Sequence, residues 1–227
     1  MTILYDYKDS LYINMTNKCP CACVFCIRDE TDHVGNSDSL WLDHEPTVEE
    51  VKNEFEKFDL DKYDEIVFCG YGEPLVRINE VVEVAKYIRS ISDIKIRVNT
   101  NGLSDLMHKK KTAVLLKDNI DAVSISLNAP NKTRYNEVTQ PKFGEKSFEA
   151  LLDFATDCKK YIKEVNFSVV DEINEQARQD HVKLEHRQIM SHLYIFAISM
   201  ILSVICIIVI ISIISNNIND LIVNKDD

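Results

Sequence analysis

Residues 17–26 read NKCPCACVFC, and only Thr16 separates them from a short apolar segment, residues 11–15 (LYINM). Cys19, Cys23 and Cys26 have the spacing C-x3-C-x2-C. Three thiolates on one tight loop can bind three irons of a cubane cluster, and the fourth iron then stays open to another ligand. Cys21 adds a fourth sulfur, so the loop also admits zinc, although structural zinc sites normally use two separated cysteine pairs. The loop therefore predicts a metal centre, and its spacing favours iron–sulfur over zinc.

Strand and helix patterns alternate from this loop to about residue 170. Five segments are short, apolar and rich in β-branched residues, as strands covered on both faces are. They are residues 11–15, 65–69, 94–98, 122–127 and 165–170. Amphipathic helices lie between the later strands, and the first begins with a capping box at Thr47. Residues 104–116 predict a further, weaker helix. The alternation predicts an α/β fold with a parallel sheet.

Polar motifs end three of the predicted strands. GYGEP, at residues 70–74, follows the second strand; its glycines allow the backbone to approach a ligand closely, and Glu73 offers a carboxylate to an ammonium group. Asn99 ends the third strand, and Ser126 and Asn128 end the fourth, where their amide and hydroxyl groups can hydrogen-bond a polar ligand. Because α/β barrels place their active sites at the C-terminal ends of their strands, these motifs predict one shared site.

The four motifs together resemble those of the radical S-adenosylmethionine (radical SAM) superfamily. The cluster loop of that family is C-x3-C-x-aromatic-C, after the first strand of a partial (β/α)6 barrel. The resemblance implies a [4Fe–4S] cluster held by Cys19, Cys23 and Cys26, with S-adenosylmethionine as the second cofactor. A Gly-Gly-Glu-Pro motif in the family receives the methionyl amino group, and GYGEP is its form here. The residues thereby assigned to S-adenosylmethionine are Tyr71, Gly72 and Glu73 at its methionyl end, and Asn99, Ser126 and Asn128 along the rest.

The resemblance also implies the chemistry of the family. The reduced cluster passes one electron to the sulfonium, which yields methionine and a 5′-deoxyadenosyl radical that abstracts a hydrogen atom from a substrate. A low-potential electron donor such as a flavodoxin or a ferredoxin is therefore expected as a partner. Residues 3–171 look most like the radical SAM proteins associated with TatD-family nucleases, with phrases such as EIVFCGYGEPL and DAVSISLNAPNKTRYNEV. This subgroup does not name a substrate.

The C-terminal quarter departs from the family pattern after a core of residues 1–171, because no sixth parallel strand is readable there. Residues 172–192 are polar and predict a juxtamembrane linker helix. Residues 193–214 carry no formal charge, and as a helix they would measure about 33 Å, which matches the hydrocarbon core of a bilayer. More basic residues precede this transmembrane helix than follow it in the short polar tail, residues 215–227, which predicts that the core faces the cytoplasm.

Composition narrows the function classes. The net charge is −11, from 26 basic and 37 acidic residues, so a protein that binds nucleic-acid backbones is disfavoured. Crowded cysteines without a secretion signal predict reduced thiols. Two functions remain open. One is a radical SAM enzyme of unknown substrate; the other is a membrane-tethered iron–sulfur or zinc-binding protein that lost catalysis with its sixth strand.

Overall fold

A computed structural model describes residues 1–169 of the chain. In this range six strands form one sheet in the order β1-β2-β3-β4-β5-β6. They are β1 (Leu4–Tyr7), β2 (Ser10–Ile13), β3 (Glu65–Phe68), β4 (Lys95–Thr100), β5 (Ala122–Ser126) and β6 (Glu164–Ser168). β1 and β2 pair antiparallel, and every later neighbour pairs parallel. The expected α/β fold is confirmed, and the sheet is mostly parallel instead of wholly parallel because β1 pairs antiparallel with β2.

Five α-helices connect these strands in the described range. They are α1 (Val48–Phe55), α2 (Ile78–Ile91), α3 (Ser104–His108), α4 (Lys132–Thr139) and α5 (Lys146–Cys158). The predicted capping box is present at the start of α1, where Thr47 and Glu50 each bond the backbone N–H of the other. The apolar face of each longer helix is buried, with Val51 in α1 and Leu151 in α5 fully so. These helices and the strands they cover form the core.

The number of strands differs from the sequence prediction, because β1 was missed. β1 and β2 form a hairpin whose two-residue turn is Lys8-Asp9. Lys8 adopts the left-handed backbone conformation, with φ 54°, which Gly or Asn fills more readily. A charged turn without either residue gives no hairpin signal. The predicted first strand is thus the second of six.

The predicted helix at residues 104–116 is divided. α3 ends at His108, and Lys109 follows with φ 54°, so the helix cannot continue; a 3-10 turn at Ala113–Leu116 comes next. The sheet also differs from the expectation that both faces are covered. In β4 fully buried and half-exposed residues alternate, which leaves Arg97 and Asn99 on a half-exposed face. That face carries polar groups toward the ends of the strands.

The chain from residue 170 onward lies outside the described residues. Four predictions from the sequence concern this part of the chain. They are the linker at 172–192, the transmembrane helix at 193–214, the tail at 215–227 and the absence of a sixth parallel strand. None of the helices within residues 1–169 is both long enough and apolar enough to span a bilayer.

Candidate functional site

A cavity of about 470 Å³ opens where the parallel strands end. Eight of the nine residues predicted from the sequence line it, and Tyr71 is the exception. The eight are Cys19, Cys23, Cys26, Gly72, Glu73, Asn99, Ser126 and Asn128. They come from the loop after β2, the loop after β3, the end of β4 and the end of β5. The fold therefore brings together groups from four separate segments of the chain.

The cysteine loop is fixed by backbone hydrogen bonds to the end of α4. The N–H of Ala22 donates to the carbonyl of Thr139 at 3.1 Å, and the N–H of Val24 donates to the carbonyl of Val138 at 2.9 Å. A β-bridge between Cys21 and the residue two beyond α4 extends this pairing. The backbone of the loop is thus paired with the C-terminal end of α4, and its cysteine side chains line the cavity.

The four thiols of the loop are not equivalent. The buried Cys21 thiol donates hydrogen bonds to the sulfurs of Cys19 and Cys23. These bonds lower the pKa of Cys19 to about 6 and also lower the pKa of Cys23. The same two bonds, together with burial, raise the pKa of Cys21. Cys21 therefore stays a thiol while its neighbours are stabilised as thiolates, the form that binds metal.

Two donors from outside the loop reach the sulfurs of Cys26 and Cys19. Arg28 Nε donates to Cys26 Sγ at 3.3 Å, and Asn101 Nδ2 donates to Cys19 Sγ at 3.9 Å. Within residues 1–169, no three His, Cys, Asp or Glu side chains converge on the position of a single metal ion. A cubane instead takes each thiolate on a different iron, and hydrogen bonds to the sulfurs support it. Soft thiolate donors around one cavity fit such a cluster.

Glu73 is buried at the inner wall of the cavity. Its Oε1 accepts hydrogen bonds from Thr100 Oγ1 at 2.7 Å and from the N–H of Leu75 at 3.0 Å. Its Oε2 accepts from the N–H of Asn101 at 2.7 Å. Burial raises the pKa of Glu73 to about 7, although these donors oppose the rise. The carboxylate thus ties the β3 loop to the end of β4, and a cationic group in the cavity would favour its ionised form.

The glycines of the GYGEP motif have a packing role. A Cβ on Gly72 would lie 2.2 Å from the carbonyl oxygen of Thr16, and a Cβ on Gly70 would lie 2.1 Å from Asn14 Oδ1. Both overlaps are with the segment that leads from β2 into the cysteine loop. The close approach expected from the sequence is therefore an approach to the protein itself, which draws the β3 loop and the cysteine loop together.

Tyr71 does not line the cavity, because its side chain belongs to a buried apolar cluster outside the cavity wall. Its hydroxyl donates to the carbonyl of Thr31. Its ring meets Trp41 edge to face, with centroids 5.1 Å apart. The guanidinium of Arg28 lies over the Trp41 ring, 5.8 Å from its centre. The Tyr71 side chain is thus placed to support Arg28, at one remove from the cavity.

The far wall of the cavity carries amide and hydroxyl groups. Arg97 Nη1 donates to Asn99 Oδ1 at 2.5 Å, and Arg97 is itself held by the carboxylate of Glu65, with a shortest distance of 2.6 Å. This arrangement sets the orientation of the Asn99 amide. Ser126 is half-buried at the end of β5, and Asn128 is buried in the left-handed conformation, with φ 54°, which asparagine tolerates.

Some lining residues were missed by the sequence prediction. Tyr135 and Thr139 come from α4, which was not predicted. A signal for this helix exists in Asn131, whose side chain caps its first turn by accepting from the N–H of Arg134. Low overall hydrophobicity in the helix hides it from a search for an apolar stripe. The contact from Arg28 to Cys26 has no sequence signal, because it depends on the turn that follows the loop.

Comparisons with known proteins agree with this site. The family model described as "Radical SAM superfamily" matches residues 13–184. A GTP 3',8-cyclase of Limosilactobacillus fermentum is 28% identical over 181 residues, which cover 75% of this chain and 49% of that protein. A probable dual-specificity RNA methyltransferase RlmN of Prochlorococcus marinus is 32% identical over 165 residues, or 70% of this chain and 43% of that protein.

A probable GTP 3',8-cyclase of Methanocaldococcus jannaschii is 33% identical over 138 residues, which cover 60% of this chain and 41% of that protein. The chain spans about half the length of the curated relatives it matches, and all three are enzymes by name. The family uses a [4Fe–4S] cluster and S-adenosylmethionine. The matched residues include the cysteine loop and every strand end that lines the cavity. The chain therefore belongs to the radical SAM superfamily.

Proposed function

We propose that this chain is a radical SAM enzyme that cleaves S-adenosylmethionine reductively in the cavity at the strand ends. The observation that carries the proposal is the convergence of eight predicted residues, from four segments, on that one cavity. When bound, the cluster supplies one electron for cleavage of the sulfonium. Every other requirement falls on the side chains that bind, orient and shield the two cofactors.

Cys19, Cys23 and Cys26 would hold the cluster. The hydrogen bonds from Cys21 support this role, because they lower the pKa of two of these sulfurs and so favour the thiolate form that binds metal. The same two bonds and burial raise the pKa of Cys21, which favours its thiol form, so Cys21 would not be a fourth ligand. An open iron is then available to S-adenosylmethionine.

Glu73, Asn99, Ser126 and Asn128 would hold S-adenosylmethionine. Glu73 is the only carboxylate of this set, so it suits the methionyl ammonium, and ion pairing there would lower its pKa from about 7. Gly72 contributes backbone at the same end of the cavity. The neutral amides and hydroxyl suit the ribose and the carboxylate of the cofactor. Tyr71 would act indirectly, through the Trp41 ring that contacts Arg28.

The relatives indicate no single class of substrate. By their names the curated relatives act on different molecules, GTP and RNA, so they do not select one. The resemblance to the TatD-associated subgroup names none either. A one-electron donor of low potential, such as a flavodoxin or ferredoxin, is the partner that the chemistry requires.

A second candidate is the membrane-tethered metal protein that lost catalysis with its sixth parallel strand. The exposure of β6 favours it, because the missing strand would follow β6. Phe167 is 47% exposed and Val169, just beyond β6, is 62% exposed. Strands of parallel sheets are normally buried on both faces. The second candidate binds a metal through the same cysteines but does not respond to S-adenosylmethionine.

Anaerobic reconstitution separates these functions. The full chain is treated with iron and sulfide or, in parallel, with zinc, and the bound metal and sulfide are measured per chain. We expect four irons and four sulfides, and we expect the electron paramagnetic resonance spectrum of the reduced cluster to change when S-adenosylmethionine is added. A cluster whose spectrum is unchanged by S-adenosylmethionine would favour the second candidate. Tight binding of zinc with no cluster formed would contradict both iron-based functions.

Cysteine variants test the ligand set in the same assay. Replacement of Cys19, Cys23 or Cys26 by Ala should abolish the cluster, because a cubane with two protein ligands is labile. Cys21→Ala should retain it, and so should Cys158→Ala, a buried cysteine in α5 that serves as the matched control. Loss of the cluster in Cys21→Ala would show that Cys21 is itself a ligand.

A further inference from the structure

Arg28 stands apart from the other arginines of residues 1–169. Four of the five have a carboxylate partner: Arg77 pairs with Glu80, Arg89 with Asp121, Arg97 with Glu65 and Arg134 with Glu137. In this part of the chain Arg28 forms no ion pair with a carboxylate. Its Nε–H is directed instead at the sulfur of Cys26, at 3.3 Å. The positive charge of Arg28 is therefore available to a thiolate.

The scaffold fixes the Arg28 side chain independently of Cys26. Its Nη1 donates to the carbonyl oxygen of Asn17 at 3.2 Å, and its guanidinium lies over the Trp41 ring. Asn17 is itself anchored, because its side chain exchanges two hydrogen bonds with the backbone of Leu42, at 2.8 and 3.1 Å. The guanidinium is thus held by contacts that do not involve Cys26.

A fixed cation beside a cluster ligand has a definite electrostatic effect. Reduction adds one negative charge to a cluster, so a nearby positive charge and an N–H···S hydrogen bond stabilise the reduced form more than the oxidised form. Guanidinium suits this position because it is always charged and is more weakly hydrated than an ammonium group. Arg28 would make the cluster easier to reduce.

We propose that Arg28 is a positioning residue for the cluster ligand Cys26, and that it raises the midpoint potential of the bound cluster. The proposal rests on the proposed function, because it requires a cluster on Cys26. It also gives Trp41 a role, since its ring contacts the guanidinium, and Tyr71 contacts that ring edge to face. Donation to Cys19 by Asn101 is longer, at 3.9 Å, so the larger effect is expected from Arg28.

The test is a redox titration of the reconstituted full chain, followed by electron paramagnetic resonance. Arg28→Gln should shift the midpoint potential to a more negative value than that of the wild type. The matched control is Arg134→Gln, which removes the same charge from an exposed residue on α4 and should leave the potential unchanged. Equal potentials in all three proteins would overturn the proposal.

A measurement on the wild type keeps the test decisive if Arg28→Gln fails to fold or to hold a cluster. The full chain is labelled with arginine that carries 15N only in its guanidinium group, and the reduced cluster is examined by pulsed electron paramagnetic resonance. A 15N coupling absent from unlabelled protein is expected, and its absence from labelled protein would overturn the proposal. Wild type that forms no cluster would contradict the proposed function, and this inference with it; a cluster that responds to S-adenosylmethionine without either Arg28 effect would contradict the inference alone.

Discussion

Glu73 has two roles that compete at neutral pH. As a carboxylate it accepts three hydrogen bonds that join the β3 loop to the end of β4. As a buried group it resists ionisation, and its pKa rises from its ordinary value of 4.5 to about 7. Between these values the folded chain binds a proton that the unfolded chain releases, so stability falls as pH rises through this window. A bound ammonium group would reverse this cost.

The pH dependence of stability therefore carries a signature of Glu73. Between pH 5 and pH 8 the wild type should lose on the order of 3 kcal/mol of unfolding free energy relative to Glu73→Gln, which cannot ionise. Urea denaturation of both proteins at the two pH values measures the difference. If the unfolding free energies of the two proteins change equally with pH, the raised pKa of Glu73 is contradicted.

Gly72 is the second residue whose role the structure changes. Gly72→Ala should cost roughly 3 kcal/mol of stability, because its Cβ would overlap the carbonyl of Thr16. Gly144→Ala provides a comparison, since its Cβ meets open space and only its left-handed backbone, with φ 60°, costs about 1 kcal/mol. Urea denaturation gives both values. Wild-type stability in Gly72→Ala would mean that the two loops are not closely packed.

At the scale of elements, the sequence predicts those parts of the fold that carry an uninterrupted local pattern. The strand at residues 65–69 is found at Glu65–Phe68, and the capping box of α1 is found where Thr47 places it. β1 was missed because its turn is held by pairing with β2 and not by turn-forming residues. α4 was missed because its low hydrophobicity leaves no apolar stripe to recognise, although its cap at Asn131 is a local signal.

The site shows the same division. The candidate cysteines and strand-end polar groups were predictable because each belongs to a motif with fixed spacing. The hydrogen bond from Arg28 to Cys26 and the position of the Tyr71 side chain were not predictable. Both belong to the tertiary packing around Trp41, whose ring contacts Arg28 and Tyr71. Tertiary packing decides which residue of a motif faces the cavity.

The backbone hydrogen bonds of the cysteine loop depend on α4, and this dependence can be measured. Asn131→Ala removes the cap of α4 and should cost about 1 kcal/mol of stability. The amides of Ala22 and Val24 donate to the end of this helix, so their hydrogen exchange should accelerate. Thr47→Ala removes the cap of α1 at a similar cost and should leave both amides unchanged. Equal acceleration in the two variants would contradict a specific link.

At the scale of the whole molecule, the polar site and the apolar C-terminal segment belong to separate parts of the sequence. Residues 193–214 lie outside the described residues, and their length and lack of charge still predict a single membrane span. We propose that the core is anchored on the cytoplasmic side. The −11 net charge of the chain then opposes contact with anionic lipid, so the anchor would supply the membrane affinity.

Membrane fractionation tests the anchor. The full chain should stay with the membrane after alkaline carbonate extraction, whereas a chain lacking residues 193–214 should be released. Protease added outside intact cells should leave the core uncut. Release of the full chain by carbonate, or loss of the core to external protease, would contradict the prediction.

The central claim, that the cavity at the strand ends cleaves S-adenosylmethionine, is tested most directly by its product. The reconstituted full chain is reduced anaerobically with dithionite in the presence of S-adenosylmethionine, and 5′-deoxyadenosine is quantified per chain. The wild type should form it, and Cys23→Ala, which lacks one cluster ligand, should form none. A wild type that holds its cluster and still yields no 5′-deoxyadenosine would contradict the claim.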